Sequence, residues 1–319
     1  MPGGQRVISH AVVSIDVDTL ASIYKGTGCR RKGGYTYAEL EIGIQNIIHF
    51  FERYECPVTL FMVGADFQRP QNIRPVRDLL SAGHEIGNHS MHHEQGFRFL
   101  SSRQKRAEIA AMDEICREKV GVKPVGFRAP GWNIADDTLP ILKELGYRYD
   151  SSVFPTFLMP ALKSSHWLSM KAKPRLDRST MGQSSYMTAP LLPYRTSAVT
   201  LGRRGENGIV EFPISVSPLI RFPFTATFYL LFGERMYSGI LNELIRRDLP
   251  VHFQFHLSDF VDYTTNEFAD QMPGGNQGVY VPKALLLPLE AKIKAFQKMM
   301  DKIAMHYTFA RMDHWSLEI

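Results

Sequence analysis

The segment Glu39–Val63, ELEIGIQNIIHFFERYECPVTLFMV, decides the fold. Leu40, Ile44, Ile47, Ile48 and Phe51 recur at helical spacing up to Tyr54, and Pro57 then opens the short apolar run Val58–Val63, which has the length and composition of a buried strand. The same alternation extends outward in both directions. Ala11–Ile15 reads as a strand, and Pro75–Ser81 as a short helix with proline in its first turn. His84–Gly87 is the next strand, Ser101–Lys119 a helix rich in Ala, Glu, Lys and Arg, and Val125–Arg128 a strand. Asp136–Leu145 reads as a helix ended by Gly146, followed by a strand over Tyr147–Ser151. Ile209–Ser215 and Val251–His256 are further strands, the second preceded by a helix at Met236–Arg247. Lys283–His306 reads as the longest helix, with a break or kink at Pro288.

Repeated βα units of this kind predict a distorted parallel (β/α) barrel. The expected organisation is a single catalytic domain over 1–319, with a rim segment inserted at about 158–208 where the alternation lapses. That segment reads as a long basic insertion or hairpin carrying Lys163, Lys171, Lys173, Arg175, Arg178, Arg195, Arg203 and Arg204. No internal repeat or low-complexity tract interrupts the pattern.

With 319 residues, 44% hydrophobic and 22% charged, the chain can bury a sizeable core and has no signature of disorder or of a fibrous protein. Cys29, Cys56 and Cys116 are odd in number and widely spaced, so they read as reduced thiols. That reading, and the lack of an apolar core in Met1–His10 of the kind a secretory signal carries, point to a cytoplasmic chain. The stretch Ile214–Gly233 is apolar but broken by Pro218, Arg221 and Pro223, which argues against a spanning helix. A net charge of +5 suits an anionic partner and equally suits plain solubility.

Asp16 and Asp18 stand at the end of the first strand, and residues two apart on a strand share a face. Alone they read equally well as turn caps. Gly87-Asn88-His89-Ser90-Met91-His92-His93 supplies the partners, because His89 and His93, four apart, share one face of a helical turn and offer two imidazole nitrogens to one ion. His92 reads as solvent-facing, His84 as a support for its strand, and Ser90 as a hydrogen-bond partner of a ligating residue.

These motifs resemble those of the polysaccharide deacetylase family, also called the NodB-homology or carbohydrate esterase family 4 group. The resemblance runs through Ile15-Asp16-Val17-Asp18, His89-Ser90-Met91-His92-His93, Arg128-Ala129-Pro130-Gly131-Trp132, Tyr149-Asp150-Ser151-Ser152 and Phe255-His256-Leu257, in that order and over nearly the whole length. It implies a divalent metal held by Asp18, His89 and His93, zinc first, with cobalt, nickel or manganese able to take the same ligands. It implies Asp16 as the base, His256 as the acid that protonates the leaving amine, and Arg128 as the group that keeps Asp16 ionised and oriented. Gly131 N–H is implied as an oxyanion donor, Trp132 as part of the sugar-stacking wall, and Asp150 as a partner of either His256 or Arg128. Two features depart from the commonest pattern: Val17 separates the two aspartates, and Gly131 separates Pro130 from Trp132.

The Asp-Val-Asp-Thr opening and Glu211-Phe212-Pro213 are similar to relatives that remove an acetyl or formyl group from undecaprenyl phosphate-linked amino sugars in cell-envelope or lipid A modification. An N-acylated lipid-linked sugar is therefore the expected partner, with peripheral contact to the cytoplasmic face of the inner membrane through the basic segment and Pro218–Met236. Deacetylation of peptidoglycan or another polysaccharide, hydrolysis of a cyclic amide such as allantoin, and a carbohydrate-binding pseudoenzyme are the competing readings. No nucleic-acid motif is present, and nothing in the sequence sets the oligomeric state.

Overall fold

The computed structural model describes residues 10–27, 38–169, 181–269 and 283–319. Among them, nine strands make one sheet: β1 (His10–Val17), β2 (Val58–Met62), β3 (Glu85–Asn88), β4 (Gly126–Phe127), β5 (Tyr149–Asp150), β6 (Tyr194–Arg195), β7 (Val210–Glu211), β8 (Val251–His256) and β9 (Thr308–Phe309). Their order is β6-β7-β5-β4-β3-β2-β1-β8, with β9 beside the start of β1. Every pairing is parallel except β6 with β7. Helices Ala38–Glu52, Pro70–Ser81, Ser102–Val120 and Leu139–Glu144 lead into β2, β3, β4 and β5. This is the expected distorted (β/α) barrel. Beyond β7, Ser215 and Thr225 bridge to β8, at His252 and Gln254.

Strand alternation divides the core in two. Val13, Ile15 and Val17 of β1 face outward, joining Leu60, Phe253 and Phe255 under the helical residues Ile44, Ile47, Phe51, Phe296 and Met299. Val12 faces inward with Phe61, Tyr149, Val210, Phe212 and Met312, filling the barrel's lower half. The filling is tight: a Cβ added at Gly126 would stand 1.9 Å from the Tyr149 ring, so glycine is required there. Above the apolar layer the inward positions turn polar, with Ser14 and Asp16 on β1 and His252, Gln254 and His256 on β8. Asp16 and His256 lie at the C-terminal ends of their strands, where barrels of this kind carry their chemistry, with Ser14, His252 and Gln254 below them.

Several elements differ from the sequence reading. Helix Pro70–Ser81 starts at Pro70 and carries Pro75 in its interior, so the proline that opens it lies earlier than expected. Pro288 caps helix Leu289–Ala304, with Lys283–Leu286 a separate 3-10 turn, and at 16 residues this helix is shorter than the 19-residue Ser102–Val120. Ser101 starts the latter through a capping box with Gln104. The rim segment holds helix Met159–Ser169, the 3-10 turn Ser184–Thr188 and β6, which folds back on β7. Lys171, Lys173, Arg175, Arg178 and Cys29 lie outside the described residues. Cys56 and Cys116 are buried free thiols. No helix among the described residues is long and apolar enough to cross a membrane.

His84 supports its strand as expected: its Nδ1 accepts the amide of Val58 at 3.2 Å, which ties the start of β3 to the start of β2. Burial, with Arg311 adding repulsion, pulls its pKa down to about 4. The unfolded imidazole takes its proton near pH 6.5, so this contribution is complete above that value and is lost as the pH falls toward 4. Between pH 7 and pH 5 the chain should lose about 1–2 kcal/mol on this account. The His84→Asn variant keeps an acceptor for Val58 but does not titrate, so thermal unfolding at the two pH values should show a smaller difference than in wild type. An unchanged difference would remove His84 from the account.

Candidate active site

Five of the implied residues converge above the barrel mouth. β1 delivers Asp16 and, one residue past its end, Asp18; β3 runs into His89, β4 into Arg128, and β8 ends at His256. Parallel pairing sets Asp16 beside His256 across the β1–β8 ladder.

The two aspartates take different partners. Asp18 Oδ1 lies 2.9 Å from His93 Nε2 and 3.5 Å from His89 Nε2. One ligand atom from each of Asp18, His89 and His93 falls within 4.8 Å of the others. None of these three buried atoms has a hydrogen-bond partner of acceptable geometry. Lone pairs so crowded and unsatisfied would be costly unless a cation sat among them. Burial opposes charge on Asp18, but without a metal the facing His93 and His89, when they carry a proton, outweigh it and hold the carboxyl well below its ordinary range. His89 Nδ1 lies 2.7 Å from the Arg128 carbonyl, a contact that needs the proton on Nδ1 and leaves Nε2 as a free lone pair. The donor set of one carboxylate oxygen and two imidazoles fits zinc and its first-row neighbours.

The histidine pair is not on a helical turn, as the four-residue spacing suggested. Residues 89–93 form a loop past β3 in which Ser90 (φ 65°) and His93 (φ 53°) are left-handed. Asn88 Oδ1 accepts the Ser90 amide at 2.8 Å and Ser90 Oγ accepts the His93 amide at 3.0 Å, so Ser90 fixes the backbone at His93, a candidate ligand. His92 is exposed and paired with Glu108.

Asp16 is buried against Arg128, with Arg128 Nη1 2.5 Å from Asp16 Oδ1, while Gln254 Nε2 donates to Oδ2 at 3.2 Å. A fully buried guanidinium costs several kcal/mol in lost hydration. Here Arg128 recovers it through the Ser151 carbonyl (2.8 Å), Ser151 Oγ (2.7 Å), Ser14 Oγ (2.9 Å) and the Phe61 ring face, 4.1 Å from Cζ. His252 completes the network, accepting from Ser14 Oγ at 2.7 Å with its Nδ1 on the Pro213 carbonyl at 3.1 Å. Burial and the neighbouring Arg128 push its pKa well below normal, so the ring is neutral as that pattern requires. Ser14, Ser151, His252 and Gln254 were not singled out from sequence. The signal for three of them was there: Ser14, His252 and Gln254 are polar at every second position of otherwise apolar strands.

His256 is half-buried, its ring edge-on to Trp132 at 5.9 Å between centroids, its Nε2 3.4 Å from Gln254 and its amide donating to Asp259 at 2.9 Å. Gly131 (φ 58°) and Trp132 (φ 53°) make a left-handed turn that turns the indole toward His256 and Phe154. Asp150 makes neither of its two expected contacts. Its oxygens accept the Ser152 amide and hydroxyl at 2.9 and 2.8 Å, and Ser152 Oγ in turn accepts the Ala129 amide beside Arg128 at 2.9 Å. Across the ladder it faces Glu211, whose pKa burial and Asp150 push well above normal, so this carboxyl pair is stable only with a proton on it.

Comparisons with known proteins bear on the chain's family and fold. Residues 41–149 match the family described as polysaccharide deacetylase. That match takes in the His89–His93 and Arg128–Trp132 motifs, but it begins after Asp16 and Asp18 and ends before β7 and β8. A peptidoglycan deacetylase of Helicobacter pylori is 27% identical over 120 residues, 38% of this chain and 40% of that protein. A peptidoglycan-N-acetylglucosamine deacetylase of Bacillus cereus is 34% identical over 102 residues, 32% and 46%. The chain spans about half the length of the curated relatives it matches. In fold, a crystal structure of a Mycobacterium smegmatis protein assigned as a polysaccharide deacetylase aligns over 100% of this chain and 93% of that one, with TM-score 0.60 at 16% identity. Puue allantoinase aligns over 96% and 88% with TM-score 0.57 at 13% identity. Similarity to the polysaccharide deacetylase family thus covers the middle of the chain, and the two solved structures share its fold.

Proposed function

We propose that the chain is a metal-dependent hydrolase that removes an N-acetyl group from an amino sugar, in one catalytic domain. The observation that carries this is the division of labour between two carboxylates two residues apart: Asp18 stands in a cage of unsatisfied ligand atoms, while Asp16 is held away from that cage by Arg128. Asp18, His89 and His93 would hold the metal, which when bound supplies a Lewis acid and lowers the pKa of a water. Asp16 takes the proton of the attacking water, with Arg128 and Gln254 fixing its oxygens. His256, next to Asp16 across the ladder and braced by Trp132, delivers a proton to the departing nitrogen, which is too basic to leave as an anion.

The sugar we infer is a lipid-linked one. Leu219, Ile220, Leu231 and Phe232 are exposed, and Thr227, in the same apolar helix Ala226–Phe232, lies 3.5 Å from His256. An apolar surface that begins at the site suits a substrate with a hydrocarbon tail, on a peripheral cytoplasmic enzyme. The names of the curated relatives favour a second substrate, peptidoglycan. Acetate release from an N-acetylated undecaprenyl phosphate sugar, a peptidoglycan fragment and allantoin, before and after chelation and metal return, tests both. Metal-dependent release from the lipid-linked sugar alone is expected. Release from peptidoglycan alone would replace the first substrate by the second, and release from none with metal bound would favour a binding protein.

A further inference from the structure

Beside the Trp132 turn, two cations share one neutral acceptor. Arg98 Nη1 donates to the Gly182 carbonyl at 3.0 Å, and Lys163 Nζ donates to the same oxygen at 2.8 Å. Both side chains are half-buried, and among the described residues neither forms an ion pair with a carboxylate. Burial, and then the nearby Arg98, lower the pKa of Lys163, as expected of a cation with a like charge close by and no anion to offset it. The carbonyl that collects them is fixed: Met181 donates its amide to the Gly131 carbonyl at 2.8 Å, and Gly182 packs so closely on Tyr186 that an added Cβ would approach the ring to 2.8 Å.

The pair is tied to the site from two sides. Gly131 precedes Trp132, whose ring meets His256, and Asn133 Nδ2 bonds the Gln95 carbonyl at 2.7 Å, joining this turn to the loop that carries His93. Arg98 also lies over Phe99, with Cζ 4.4 Å from the ring centre, and Phe99 is 42% exposed. An ammonium has three donors and a guanidinium five, so one carbonyl leaves most of them without a protein acceptor. An oxyanion would take donors from both and cancel the repulsion between them.

We propose that Arg98 and Lys163 form a subsite for an oxyanion carried on the substrate, a phosphate or carboxylate on the amino sugar, with Phe99 flanking it. This rests on the deacetylase reading for its substrate, and on the geometry alone for its anion. The ratio of kcat/KM for an N-acetylglucosamine oligosaccharide bearing a phosphate monoester to that for its neutral counterpart should exceed tenfold in the metal-loaded full chain. In Arg98→Gln and Lys163→Gln it should fall toward one, while Lys163→Arg, which keeps the charge, should retain it. A carboxylated oligosaccharide run in parallel tells which anion is preferred. Calorimetric titration of inorganic phosphate tests the subsite without turnover: both glutamine variants should bind it at least tenfold more weakly than wild type. Phosphate affinity unchanged in the variants, or an anionic preference that survives in both, would overturn the proposal. Loss of phosphate affinity with no deacetylation of any oligosaccharide or of the lipid-linked sugar would leave the subsite standing and the deacetylase reading refuted.

Discussion

The Asp16→Asn variant is expected to keep its metal and lose its turnover, with kcat for acetate release down by roughly 10²–10⁴, the usual worth of a positioned base. The metal should stay because the Asp16 oxygens are engaged by Arg128 and Gln254, while the ligand atoms gather on Asp18, His89 and His93. Asparagine retains an acceptor for Arg128, so the fold should be little affected. Metal content by elemental analysis beside steady-state kinetics checks both halves. An Asp16→Asn protein without metal would exchange the roles of the two aspartates.

Arg128→Met should be the costliest single change in stability. It leaves Asp16 charged, buried and unpaired, and leaves Ser14 and Ser151 with hydroxyls facing an apolar side chain. Breaking a buried pair from one side costs about 3–5 kcal/mol, on the order of 10 °C in melting temperature for a chain of this size. The Asp16→Asn/Arg128→Met double variant should recover part of that loss, because the orphaned charge is gone. Losses that simply add in thermal unfolding would mean that the two side chains do not depend on each other.

The barrel was legible because its strands are short apolar runs set between amphipathic helices. Val251–His256 has the bounds read from sequence, and the Ser101 and Gln104 capping box starts the helix where a Ser-x-x-Gln pattern says it should. The candidate cluster of Asp18, His89 and His93 was legible from residue type and order, but its backbone was not. The four-residue spacing of His89 and His93 arises from two left-handed residues, Ser90 and His93, and non-glycine residues give no local sign of that conformation. The support of Arg128 was missed for another reason: serine and glutamine within strands carry little chemical signal until pairing puts Ser14 beside Gln254 and Asp16 beside His256. Asp150 turned out to bond within its own motif, to the Ser152 amide and hydroxyl, and its other neighbour, Glu211, comes from a strand far away in sequence.

The most direct measurement is acetate release by chelator-treated full-length protein before and after one equivalent of zinc, in wild type and in Asp18→Asn. Wild type should be inactive without metal and recover with about one ion bound per chain, while Asp18→Asn should neither retain the ion nor recover. Full turnover by metal-free wild type, or an Asp18→Asn protein that holds one ion as tightly as wild type, would contradict the cage of Asp18, His89 and His93 as the centre of this chemistry.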